Sequence, residues 1–297
     1  MKVPPDHGQV AVVINPVAGR GRGAKVAPEI RSRIGGLSNI EVIVPSSREA
    51  SYSQLKDLAP EVDRLIVVGG DGMVHAAAQY VAARHPTTVL GVIGLGTGND
   101  FAAAVGLDTD LDVALEQAFS EPAPVDALAV GDDWVTTVVT FGFAAQVNER
   151  AERMAFPRGS SRYTVATLLE TPRVSGVPVE MTLDGVRSRH DVMMAAVANT
   201  ALFGGGMRIA PDASHSDGRL DVVLIDEVSR ATLLRVLPRA FSGGHVAHPA
   251  VSVSRGSIVE FASPHQRRVR ADGEALGILP IRVESVPGAL LVAGANG

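Results

Sequence analysis

Two hydrophobic periodicities alternate along the first third of the chain. The runs 9–14 (QVAVVI), 40–44 (IEVIV), 64–69 (RLIVVG) and 88–93 (TVLGVI) are short and nearly all apolar, and they predict strands. Residues 24–34, 51–58 and 74–84 mix alanine, charge and apolar residues at helical spacing and predict helices between them. Val/Ile runs without polar alternation must be covered on both faces, which is the arrangement of a parallel sheet between helical layers. An α/β N-terminal domain with a mostly parallel sheet is therefore expected. Glycine turns follow the first, third and fourth strands, at the carboxyl ends where such sheets bind ligands.

After a helix expected over 111–119, two prolines in 120–126 (SEPAPVD) mark a shift in composition. The domain boundary is placed there, giving domains 1–124 and 125–297, with the extreme C-terminus free to pack back onto the first. Beyond it the runs 134–141, 177–183, 188–198, 219–225 and 257–262 predict strands with few helices between them. Antiparallel packing follows, hence a β-rich, sandwich-like C-terminal domain. Helical patterns at 144–170 and 229–241 interrupt it.

Composition narrows the function classes. A chain of 297 residues with 46% hydrophobic content can build two cores. The 32 acidic residues outnumber the 27 basic ones, so the net charge of −5 offers no general attraction to nucleic acid. The absence of cysteine removes disulfides and thiolate chemistry and points to a reducing, cytoplasmic setting. Residues 1–10 lack the apolar core of a signal peptide, and no apolar run reaches the ~18 residues of a membrane span. Any membrane contact is expected to be peripheral, at the inner face.

The chemistry concentrates in five turns. Gly69-Gly70-Asp71-Gly72 sits between a buried strand and a helix, where glycine amides and a helix N-terminus can approach phosphate oxygens and Asp71 can face phosphate or its magnesium. A tight turn capped by Asp71 is the alternative. The loop 94–100 (GLGTGND) adds Thr97, Asn99 and Asp100 after the next strand, and the loop 15–23 (NPVAGRGRG) brings Arg20 and Arg22, which either contact phosphate or are solvated. Neither GxxxxGK[ST] nor GxGxxG is present, which disfavours a P-loop enzyme or a dinucleotide dehydrogenase. Residues 214–221 (SHSDGRLD) and 271–274 (ADGE) read as hairpin turns bearing carboxylates. The neighbouring Arg267, Arg268 and Arg270 read as a solvated strand face, with anionic headgroups as the other option. The eight histidines show no metal-ligand spacing; His75 alone lies close to the GGDG turn.

Taken in order, NPVAGRGRG, VVGGDGM, GLGTGNDFA, FGGGMRIAPDASHSDGRLDVVLI and ADGE resemble the diacylglycerol kinase catalytic family, over residues 15–274, and the soluble bacterial lipid kinases in particular. The resemblance implies a nucleotide domain akin to those of NAD kinase and phosphofructokinase, a β-rich second domain, and ATP in the cleft between them. It places nucleotide contacts on Asn15, Pro16 and Gly19, on Gly69, Gly70, Asp71 and Gly72, and on Thr97 and Asn99. A hydroxyl contact after the second strand falls on Ser46 or Ser47. It further implies a structural magnesium held by the carboxylate of Asp217 and the backbone carbonyls of Ser214 and Arg219, in keeping with that ion's preference for oxygen. Glu274 becomes the base that takes the proton of a lipid hydroxyl, with Asp272 as helper or rival.

The implied activity is transfer of the γ-phosphate of ATP, with magnesium, to a hydroxyl of a diacylglycerol-like or sphingoid lipid in phospholipid metabolism. The partners are then ATP, the lipid and a membrane surface, with a homodimer left open. Two other readings stay open: an NAD kinase, which shares the GGDG turn, and a nucleotide-binding regulator that has lost catalysis. The second is motivated by Met73 and His75, which with Ala76 stand where the family usually has threonine, asparagine and glutamate.

Overall fold

The computed structural model describes residues 8–34, 39–58, 61–84, 87–154, 156 and 161–296. Residues 1–7, part of the N-terminal reading, and residues 155 and 157–160, inside the helical pattern at 144–170, lie outside them. The chain divides into two compact units: residues 1–127 with 287–297, and residues 128–286.

The first unit alternates strand and helix: β1 (Val10–Ile14), α1 (Ala18–Ile34), β2 (Ile40–Ile43), α2 (Arg48–Leu58), β3 (Arg64–Gly69), α3 (Asp71–Arg84), β4 (Val89–Gly94), α4 (Asp100–Ala104) and α5 (Leu111–Ala118). β1 lies between β2 and β3, and β3 lies beside β4, all parallel. Every residue of β1 and β3 is buried, as the unbroken apolar runs require. Val12, Ile14, Ile66 and Val68 pack with Ile30 and Ile34 of α1 and Leu115 of α5. The segment 120–126, expected only to mark a boundary, is mostly strand: β5 (Pro122–Val130) begins on one of its prolines, a position that needs no ladder N–H, and it crosses the division between the units.

The second unit continues with β6 (Asp133–Val135), β7 (Val138–Gly142), α6 (Phe143–Arg153), α7 (Ser161–Glu170), β8 (Val177–Leu183), β9 (Val186–Ala198), β10 (Leu202–Phe203), β11 (Met207–Arg208), β12 (Leu220–Asp226), α8 (Arg230–Val236), β13 (Val251–Gly256), β14 (Ile258–Ala262), β15 (Arg268–Ala271), β16 (Glu274–Ile278) and β17 (Ile281–Ala293). Its main sheet runs β16-β15-β7-β9-β8-β14-β17, and β12 pairs both β9 and β13. The pairings of β7, β8, β12 and β15 with their neighbours are antiparallel. Along β9, Ala195 and Val197 join one core and Met194, Ala196 and Ala198 another, so its C-terminal half is buried on both faces and reads as a solid apolar run. The end of β17 belongs to the first unit, where Leu291 and Val292 pair in parallel with Val89 and Leu90 of β4.

Three expected elements are divided, the helical pattern at 144–170 into α6 and α7. The run 134–141 is two strands, β6 and β7, parted at Thr136 and Thr137, whose backbone N–H groups donate to the Asp272 carboxylate at 2.9 and 2.8 Å. The helical pattern at 229–241 is α8 followed by a 3-10 helix over Leu237–Phe241, because Pro238 cannot supply an α-helical N–H.

Candidate active site

In the first unit three loops meet at the carboxyl ends of β1, β3 and β4. Asn15 is buried directly after β1; its N–H donates to the Val68 carbonyl at 3.0 Å and its Oδ1 accepts from the Val17 N–H at 3.1 Å. Gly19, Arg20 and Gly21 then take a left-handed turn, with φ of 56°, 62° and 88°, which kinks the start of α1, so that its regular part follows Gly21, close to the helix expected from residue 24. A Cβ on Gly19 would stand 2.4 Å from the Leu95 carbonyl oxygen, so the first loop lies backbone against the third. Pro16 is half-buried beside Asn15, whereas Arg20 and Arg22 are exposed.

The second and third of these loops interlock. The Leu95 N–H donates to the Gly69 carbonyl at 2.7 Å, and a Cβ on Gly96 would approach Gly70 Cα to 2.7 Å. Asp71, the residue expected to face phosphate or magnesium, spans the loops: its Oδ2 accepts from the Asn99 N–H at 2.9 Å and its Oδ1 from the Phe101 N–H at 3.2 Å. Asn99, expected to contact nucleotide, closes its own loop. Its Oδ1 accepts from the Gly96 N–H at 2.7 Å and its Nδ2 donates to the Gly96 carbonyl at 3.3 Å. Both carry the loop geometry through hydrogen bonds to backbone. Thr97 is exposed at the tip of the third loop, and Gly72 is half-buried in the first turn of α3.

Met73 is buried, and a Cβ on Gly69 would come within 2.5 Å of its Cγ, so the methionine fills the space beneath the turn. The two serines after β2 are distinguished by their surroundings. Ser47 Oγ accepts from the Ala50 N–H at 3.1 Å at the start of α2, and Ser46 is exposed.

In the second unit, Asp272 and Gly273 form the two-residue turn between β15 and β16, with φ of 49° and 85°, the left-handed pair that favours Asp-Gly in tight hairpins. The Asp272 carboxylate is committed to this turn's anchor. Thr136 N–H and Oγ1 donate to Oδ2 at 2.9 and 3.0 Å, and Thr137 N–H and Oγ1 donate to Oδ1 at 2.8 and 2.6 Å. Glu274 is the first residue of β16, half-buried, opposite Ala271. Arg270 departs from the expected solvated face. It is 6% exposed, and its Nε donates to the Gly273 carbonyl at 3.1 Å while Nη1 donates to Glu152 of α6 at 3.1 Å. Arg268 does lie at the surface, paired with Glu149.

The turn 214–221 holds Asp217 through its own backbone: Oδ1 accepts from the Arg219 N–H at 3.0 Å, and Oδ2 is 3.7 Å from Arg255 Nη1. The Ser214 hydroxyl is 3.4 Å from that of Ser216. Sequence reading passed over Arg255, which also bonds Asp221 Oδ1 at 3.1 Å and the Asp212 carbonyl at 2.7 Å. Burial pushes the Asp221 carboxyl up, against the pull of Arg255. Among the described residues no cluster of three or more His, Asp or Glu is suited to a metal.

Two known domains match the chain one after the other. The diacylglycerol kinase catalytic domain matches residues 9–130, and the YegS C-terminal NAD kinase beta sandwich-like domain matches residues 137–294. A diacylglycerol kinase of Mycobacterium tuberculosis (strain ATCC 25618 / H37Rv) is 35% identical over 96% of this chain and 94% of its own. The chain belongs to the diacylglycerol kinase family. A more distant relative, the diacylglycerol kinase of Bacillus subtilis (strain 168), is 24% identical over 91% of this chain and 90% of its own. The family fold is present throughout: a crystal structure of a diacylglycerol kinase from Bacillus anthracis str. Sterne superposes with a TM-score of 0.75 over 98% of each chain, at 17% identity. Membership makes the protein a kinase of that family, and such kinases use a nucleotide and a divalent cation. Among the described residues no helix is long and apolar enough to cross a membrane.

Proposed function

We propose that this transferase moves the γ-phosphate of ATP to a hydroxyl of a diacylglycerol-like or sphingoid lipid presented at a membrane surface. The observation that carries the assignment of roles is the commitment of Asp272 to four hydrogen bonds from Thr136 and Thr137. A carboxylate held that way serves as an anchor, so the base role falls to Glu274, the other carboxylate of the hairpin, which accepts the proton of the attacking hydroxyl.

Nucleotide binding is assigned to the three loops of the first unit. Backbone amides of Gly70 and Gly72, at the N-terminal end of α3, face the phosphates with the favourable end of the helix dipole. Asn15 and Asp71 act indirectly by fixing the loops, and Gly19 allows the first loop to approach the third. Exposed Thr97 and Ser46 remain available for hydroxyl contacts. Asp217 would hold a structural magnesium with the carbonyls of Ser214 and Arg219, in a turn where one carboxylate and retained waters suit that ion. Magnesium bound with the nucleotide would neutralise charge on the phosphoryl oxygens.

The test is Glu274→Gln with labelled ATP, magnesium and a panel of lipids in mixed micelles. Wild type is expected to label a lipid and leave NAD unlabelled, and the variant to lose transfer while still binding ATP. Lipid phosphorylation by the variant at the wild-type rate would refute the base assignment. Labelling of NAD, or of nothing, by wild type would refute the reaction.

A further inference from the structure

We infer that Arg270 and Glu152 are positioning residues for the reaction, forming a strap that sets the height of the turn bearing Glu274. This rests on the reading of Glu274 as base. The turn is held on one side by Asp272, whose carboxylate reaches Thr136 and Thr137. It is held on the other by Arg270. The guanidinium is buried on β15; Nε donates to the Gly273 carbonyl at 3.1 Å, Nη2 donates to the same oxygen, and Nη1 and Nη2 together grip both oxygens of Glu152.

Glu152 rides on α6, whose Phe143, Val147 and Ala151 are seated in the second unit's core with Met193 and Ala196 of β9. Its own side chain is 51% exposed, whereas that of Arg270 is 8% exposed. The arrangement therefore runs from a packed helix, through a planar cation, to a backbone carbonyl one residue before Glu274. Only a guanidinium can bond a carboxylate in fork geometry and a carbonyl at once; an ammonium is a point donor on a flexible stem. A shift of about 1 Å in the base relative to the hydroxyl can cost ~100-fold in rate, so the strap acts on turnover and leaves nucleotide affinity alone.

Arg270→Lys in the full chain tests this. The expected result is a fall of ~10- to 100-fold in kcat for lipid phosphorylation with KM for ATP within ~2-fold, and a deeper fall for Arg270→Met. Hydrogen exchange supplies a readout independent of turnover: the Asp272 amide, which donates to the Val138 carbonyl at 3.2 Å, is expected to exchange faster in Arg270→Lys. Glu152→Gln, at a half-exposed position, should move kcat and exchange in the same direction by less, and add little on top of Arg270→Lys. That variant carries the comparison if Arg270→Lys does not fold. Unchanged kcat and unchanged exchange overturn the inference, as does a loss in kcat matched by an equal loss of ATP affinity. If wild type phosphorylates no lipid, the proposed reaction fails, and the exchange comparison still decides whether the strap holds the turn.

Discussion

Asp272→Asn isolates the contribution of the hairpin anchor. Asparagine tolerates the left-handed backbone at φ 49° nearly as well as aspartate, so the substitution changes hydrogen bonding and little else. Each carboxylate oxygen now accepts one backbone N–H and one threonine hydroxyl, at 2.6 to 3.0 Å. The amide must present its NH2 to one of these pairs whichever way it is turned. The hydroxyl can rotate to accept, but the backbone N–H cannot, and a buried donor is left facing another donor. Losing two bonds to a charged acceptor, one of them irreplaceable, is expected to cost about 3 kcal/mol. For a cooperative unit of this size that corresponds to a fall of roughly 6–12 °C in the midpoint of thermal unfolding. Calorimetry of the full chain, with urea unfolding as a second probe, measures it. A midpoint within about 1 °C of wild type would mean that the threonine amides find other acceptors and that Asp272 is not the anchor.

Other consequences follow from the loops and from a buried histidine. Gly96→Ala places a methyl 2.7 Å from Gly70 Cα and is expected to part the two glycine loops; isothermal titration should show at least ~10-fold weaker ATP binding, and unchanged affinity would mean the loops do not act together. His245 is fully buried, with Nε2 donating to the Ile209 carbonyl at 3.0 Å, and burial pulls its pKa down. Its folded form therefore binds fewer protons than the unfolded chain. Its stabilisation is full above the unfolded value of about 6.5 and is lost as pH falls from there through the lowered folded value. Urea midpoints should decline between about pH 7.5 and 5.5 in wild type and decline less in His245→Gln; parallel pH profiles would refute this source of acid sensitivity.

The parallel half of the fold was legible because its signal is local. β1 and β3 are buried on both faces, and unbroken Val/Ile runs have few other homes. The parting of β6 from β7 was not legible, since it depends on a carboxylate that arrives from a turn 135 residues further on. The same distance effect hid Arg270: HQRRVR reads as a charged surface until Glu152, 118 residues away, is seen to pair with it. β13 was missed for a different reason, because the four interior positions of VSVSRG are exposed or, at one of them, partly buried, and it has no apolar run to announce it. In the candidate site, glycines and carboxylates could be found from spacing and family resemblance. That Asp71, Asn99 and Asp272 accept hydrogen bonds from backbone N–H groups of the loops they adjoin is a matter of geometry that spacing does not reveal.

The strand shared at the end of the chain bears on biosynthesis. β4 receives its parallel neighbour from Leu291 and Val292, about two hundred residues downstream of its own Val89 and Leu90. The first unit's sheet therefore cannot reach its full width while the second unit is still being made, and an emerging chain carries an unfinished β4 edge from residue 94 until Leu291 and Val292 follow. Closing so long a loop is slow, and an open parallel edge invites pairing with other chains. For a nascent polypeptide the vulnerable interval lasts until Leu291 and Val292 have left the ribosome, and their pairing with β4 is the step that seals the first unit.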